Sequence, residues 1–247
     1  ANSFEPETAM PPVLPHRRLA MLVALAAALV LGACSTTANR AGETTTSVVA
    51  FEGDDFYDVP DPLPAGPHGT LVRYEDVPAM VVPGATVYRI MYLSESLEGE
   101  PIAVTGLASV PDATAPAEGR PQITVSHGTT GIADECAPSA NPALSEFSIV
   151  TSSVGDEFLV AATDYEGLGT PGRHPYLVGA SEGRASIDAL LAARALPNAD
   201  GGGRFVTAGY SQGGHGALWT SQVAAEWAPD LEVIGTFGGA PASEVDV

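Results

Sequence analysis

From about residue 86 onward, apolar positions gather into short runs separated by turn-forming residues, and later into longer stretches with helical spacing. Residues 86–93 and 101–110 are rich in β-formers, and the Ser-Glu-Gly-containing stretch between them predicts a hairpin turn joining two strands. Residues 122–126 alternate toward a short strand that stops at His127-Gly128. The run "EFLVAAT" at 157–163 is almost continuously apolar, the pattern of a strand covered on both faces. An Ala-rich segment from Ser181, a candidate N-cap, to about Leu196 predicts a helix stopped by Pro197. Residues 204–208 predict the next strand, followed by a helix that reaches roughly Trp227 before Pro229. Residues 232–237 predict a last strand, closed by Gly238-Gly239. Apolar strands separated by helices need crossover connections, so the pattern gives an α/β fold with a mostly parallel sheet and helices on both faces.

The N-terminal pattern differs. Arg17-Arg18 precedes thirteen consecutive apolar residues, 19–31, and then Gly32-Ala33-Cys34. That length suits a signal-peptide core of about 7–15 residues better than a membrane span of about 20. The ending Leu31-Gly32-Ala33-Cys34 resembles a lipobox, with Cys34 as the residue that would carry lipid and anchor the exported chain to a membrane. A plain secretory signal with an incidental cysteine is the simpler alternative. Residues 35–69 read as a Ser/Thr/Ala-rich tether followed by a proline- and aspartate-rich lead-in. The expected organisation is therefore 1–34 extension and signal, 35–69 tether and lead-in, and 70–247 the folded domain.

Charge narrows the partners. Thirty acidic residues face ten basic ones, all of them arginine, for a formal net charge of −20. Such a surface repels nucleic acid and anionic headgroups, so no nucleic-acid partner is expected. No His/Cys/Asp cluster has ligand spacing, so no metal or other cofactor is expected.

The candidate chemistry lies in "VTAGYSQGGHGALW" at 206–219, where Gly-x-Ser-x-Gly separates a strand from a helix. Gly209 and Gly213 permit a tight turn that pushes Ser211 out at a helix N-terminus. The backbone N–H of Gln212 would then face a developing oxyanion. A second donor is expected from the loop at 127–131, with Thr130 or Gly131 supplying the amide. His127 precedes the serine and reads as a residue that orients this loop. His215 is the only histidine after Ser211 and lies one helical turn away, so its ring is expected along the helix flank rather than over the serine hydroxyl. Glu244 and Asp246 are the only acids after the last predicted strand, and no histidine follows them. Sequence alone does not complete a triad.

Five blocks carry a resemblance: "HGTTGIADECAPS" (127–139), "ATDYEGLGTPGRHPYLVG" (162–179), "GRASIDALLAAR" (183–194), "GYSQGGHGALW" (209–219) and "GTFGGAP" (235–241). Together, over residues 70–247, they resemble the secretory lipase family. The resemblance implies an α/β-hydrolase fold, an ester or lipid substrate and Ser211 as nucleophile. It further implies Gln212 and the 127–131 loop as oxyanion donors, and Cys136 as a half-cystine whose partner comes much later. It also implies a helical cap, an acid and a base beyond the point where this sequence stops. A 247-residue chain alone is accordingly expected to be inactive and prone to aggregate through an open sheet edge. A peptidase or acyltransferase on the same scaffold, and a non-catalytic exported binding module, are the competing readings.

Overall fold

Strands β1 (Leu71–Asp76), β2 (Ala85–Glu95) and β3 (Pro101–Pro111) form an antiparallel meander in the computed structural model, which describes residues 50–243. β4 (Arg120–Ser126), β5 (Leu159–Thr163), β6 (Gly201–Tyr210) and β7 (Glu232–Gly239) follow, joined through helices α1 (Glu146–Val154), α2 (Gly179–Ala193) and α3 (Gln212–Trp227). The spatial order is β1-β2-β3-β5-β4-β6-β7. β5 pairs antiparallel with β3 and parallel with β4, and β4-β6-β7 continue parallel. The carboxyl ends of β4, β5, β6 and β7 therefore share one edge, where an open α/β sheet collects its functional loops. The predicted signal segment, Cys34, Glu244 and Asp246 lie outside the described residues.

Burial explains why these segments became these elements. All five residues of β5 are buried, as its unbroken apolar run requires. On one face of the sheet, Ile187 and Leu190 of α2 and Ala224 of α3 pack on Leu71, Ile90, Val104, Leu159 and Phe205. On the other, Phe147 of α1 packs on Val87, Leu107, Ile123, Val125 and Val160. Each such fully buried large side chain contributes about 1.5–3 kcal/mol.

Three local expectations change. α2 begins at Gly179 with Val178 at the N-cap, two residues before Ser181. The Ser181 hydroxyl donates to Glu166 Oε2 at 2.7 Å instead of capping the helix, because the loop after β5 brings that carboxylate across the helix start. β1 and α1 were not marked by the pattern. β1 alternates only weakly ("LVRYED"), and α1 ("EFSIVTSSV") is rich in Val, Ile, Ser and Thr, which are weak helix formers held here by tertiary packing. At the far side of the sheet, β7 leaves Ile234 and Phe237 exposed, 55% and 65% respectively. Among the described residues β7 pairs only with β6.

Candidate active site

β6 delivers the chain to Ser211, and α3 leaves from it. Ser211 is the N-cap of α3 with φ 58° and ψ −119°, a region that side-chain-bearing residues rarely occupy. Its N–H donates to Gly239 O at 2.9 Å, and its own carbonyl accepts the first helical bond from His215 N at 3.2 Å. The sharp turn requires the two glycines. A Cβ on Gly209 would stand 2.1 Å from Gly213 O, and one on Gly213 would stand 2.0 Å from Ser126 O. The first turn of α3 has no side-chain cap and no acidic residue. Its positive end is thus unneutralised, and Gln212 N–H has no acceptor among the described residues.

The facing loop leaves β4 at His127. Both ring nitrogens of His127 point to backbone carbonyls, Nδ1 to Gly128 O at 2.6 Å and Nε2 to Asp164 O at 3.2 Å. The Tyr165 hydroxyl donates to His127 O at 3.0 Å, and the two rings lie 4.3 Å apart. The loop residue brought against the serine is Gly128, where an added Cβ would be 3.8 Å from Ser211 Cβ. Its N–H donates to Glu146 Oε1 at 2.8 Å, so the start of α1 clamps the loop. Thr130 is exposed, and Gly131, at φ 135°, packs against the Cys136 sulfur. Cys136 is a free thiol here, partly exposed. Farther along, Asp164 accepts from Ser139 N at 2.8 Å and Thr105 Oγ1 at 2.7 Å, while Arg89 donates twice to Ser139 O at 3.1 Å. Burial pushes the Asp164 carboxyl above the usual range, and the Ser139 and Thr105 donors oppose that push.

The other flank of the elbow is braced by a buried carboxylate that sequence reasoning missed. Glu182 of α2 is fully buried; Oε1 accepts from Gln212 Nε2 at 2.9 Å, and Oε2 from His215 Nδ1 at 2.7 Å. Gln212 Nε2 gives its other hydrogen to His174 Nε2 at 3.1 Å, and His174 Nδ1 donates to Glu166 O at 3.0 Å. Burial lowers the His174 pKa, which suits this neutral tautomer. His174 stands in a block that carries the family resemblance and Glu182 just before another, but no spacing rule links them to residues some 30–40 positions later.

His68, the remaining described histidine, bonds Asp188 Oδ1 at 2.6 Å. Every described histidine is thus engaged away from Ser211, and none is within hydrogen-bond distance of its hydroxyl. Among the described residues, no three His, Cys, Asp or Glu side chains form a group that could hold a metal ion. No described helix is long and apolar enough to cross a membrane.

Comparison with known proteins finds lipases and an esterase among the matches. The secretory lipase family matches residues 143–247. Lipase A of Moesziomyces aphidis is 24% identical, across 93% of this chain and 51% of its own length. A Mycobacterium tuberculosis chain named as an inactive lipase is 23% identical, across 78% of this chain and 46% of its own. The crystal structure of the rice cell wall degrading esterase LipA from Xanthomonas oryzae superposes with a TM-score of 0.57 at 25% identity, covering 69% of this chain and 50% of that one. The chain thus spans about half the length of the curated relatives it matches.

Proposed function

We propose that this chain, similar to the secretory lipases over residues 143–247, carries the nucleophile of a serine carboxylic-ester hydrolase. The observation that carries the reading is Ser211 at φ 58° between β6 and the uncapped, acid-free start of α3. The Ser211 hydroxyl would add to the ester carbonyl, and the negative charge on the carbonyl oxygen would be met by Gln212 N–H and an amide of the 127–131 loop, Thr130 or Gly131. Collapse of this intermediate expels the alcohol and leaves an acyl-serine, which water then cleaves to the acid. Because every described histidine is engaged elsewhere, the general base and its acid come from outside the described residues.

The segment before residue 50 supports export, with lipid on Cys34 as the anchor. Mass spectrometry of the N-terminal peptide from the membrane fraction tests that assignment.

The test of the chemistry is hydrolysis of p-nitrophenyl butyrate, beside matched amide and acyl-acceptor substrates, by the protein as its own cells produce it, with Ser211→Ala as control. Ester turnover that disappears in the variant is expected. Turnover that survives it, or a preference for the amide, overturns the assignment. A second reading, a binding module on a hydrolase scaffold, is favoured by one observation: no described side chain activates Ser211. Absence of turnover on every substrate supports that second reading.

A further inference from the structure

Tyr165, the second residue past β5, takes no part in the chemistry above, yet it is completely buried and holds a φ of 70°. A bulky side chain at such a φ is a backbone outlier, which persists only where its neighbours over-determine it. They do so here. The Tyr165 N–H donates to Thr163 Oγ1 at 2.8 Å. The residue between them is fixed through backbone and side chain alike: Asp164 N donates to Thr105 O at 2.8 Å, and its carboxyl accepts from Thr105 Oγ1 at 2.7 Å and Ser139 N at 2.8 Å.

From this fixed backbone the side chain reaches three elements around Ser211. Its hydroxyl donates at 3.0 Å to His127 O, the carbonyl from which the 127–131 loop departs, and the two rings lie 4.3 Å apart. His127 is held there a second time, by Nε2 against Asp164 O at 3.2 Å. On the helix that starts at Ser211, Gly216 leaves room for the same hydroxyl; a Cβ at that position would stand 3.1 Å from it. The His174 ring lies 5.9 Å from the Tyr165 ring and nearly parallel to it, and His174 Nε2 accepts from Gln212 Nε2 at 3.1 Å. One side chain therefore connects the root of the loop, the nucleophile helix and the histidine that holds the Gln212 side chain.

We propose that Tyr165 is a positioning residue for the reaction at Ser211, setting the gap between the 127–131 amides and Gln212 N–H so that both meet the carbonyl oxygen as charge develops on it. The inference rests on the ester-hydrolase reading. Tyr165 is too deeply buried to meet substrate and acts through His127 and α3. A displaced amide donor matters little while the neutral ester binds and much once the oxygen is charged, so the effect belongs in kcat rather than KM.

Tyr165→Phe keeps the ring and removes only the hydroxyl. In the protein as its own cells produce it, p-nitrophenyl butyrate turnover is divided by the fraction of Ser211 that a fluorophosphonate probe labels at completion, so unfolded molecules do not count. The variant is expected to lose at least about tenfold in kcat per labelled site with KM held within about twofold. Hydrogen exchange of the loop amides at 128–131 is expected to quicken alongside. Ser94→Ala removes another buried hydroxyl, one that donates to Asp188 instead, and is expected to leave kcat per site and loop exchange unchanged. An unchanged kcat per site, a fall matched by Ser94→Ala, a change confined to KM, or unaltered loop exchange overturns the proposal. An active wild type that Tyr165→Phe leaves unaltered overturns this proposal alone. A wild type without ester turnover, or without an adduct on Ser211, removes the hydrolase reading and this proposal with it.

Discussion

Ser211 holds backbone strain at the start of α3. A positive φ at a non-glycine position persists only where its surroundings over-determine it, and here Gly209, Gly213 and the Gly239 carbonyl do so. Gly213→Ala would drive a methyl to 2.0 Å from Ser126 O, which is backbone and cannot rotate aside. The variant is expected to lose at least about 2 kcal/mol in urea unfolding, at the upper range of overpacking costs. An unchanged midpoint would mean that the elbow is looser than described. The serine and its glycines were legible in the sequence because a strand-turn-helix junction is a local event. The loop was less so. The pattern offers Thr130 or Gly131 for the second donor and carries no sign that Gly128 lies beside the serine or Gly131 beside Cys136. That contact depends on Glu146, eighteen positions on, returning to clamp the loop.

Among the elements, the hydrophobic pattern found α2, α3 and the strands from β2 onward. It passed over β1 and α1, where packing against the rest of the molecule decides the outcome. It also could not see the tie between α2 and α3. Glu182 holds the side chains of Gln212 and His215 from the neighbouring helix and so fixes the first turn behind the nucleophile. Glu182→Ala leaves two buried donors without an acceptor and is expected to cost about 3 kcal/mol in chemical denaturation. Glu182→Gln, which still accepts from Gln212, should recover part of that loss. Equal midpoints for all three proteins would show that the tie adds nothing to stability.

Across the whole molecule, the lead-in before β1 is locked to the helical face by His68. Its ring stacks on Trp227 at 4.2 Å and bonds Asp188, which also accepts from Ser94 Oγ at 2.7 Å and Trp227 Nε1 at 2.9 Å. The bond to Asp188 raises the His68 pKa above the usual imidazole value, while burial lifts the Asp188 carboxyl and its three donors oppose that lift. A raised folded-state pKa stabilises the fold fully below the unfolded value of about 6.5, and the contribution fades as pH rises through the folded value. The stability gap between wild type and His68→Gln is therefore expected to be widest in acid and to narrow above neutrality; a gap that widens with pH would reverse the assignment. At the opposite side of the sheet, exposed Ile234 and Phe237 on β7 are the surface on which the expected tendency of this chain to aggregate would act.

The measurement that bears most directly on the account is mapping of the residue labelled by a fluorophosphonate probe in the protein as its own cells produce it. The account predicts a single adduct, on Ser211, that disappears in Ser211→Ala. An adduct on another residue, or none at all, would contradict the assignment of Ser211 as the nucleophile.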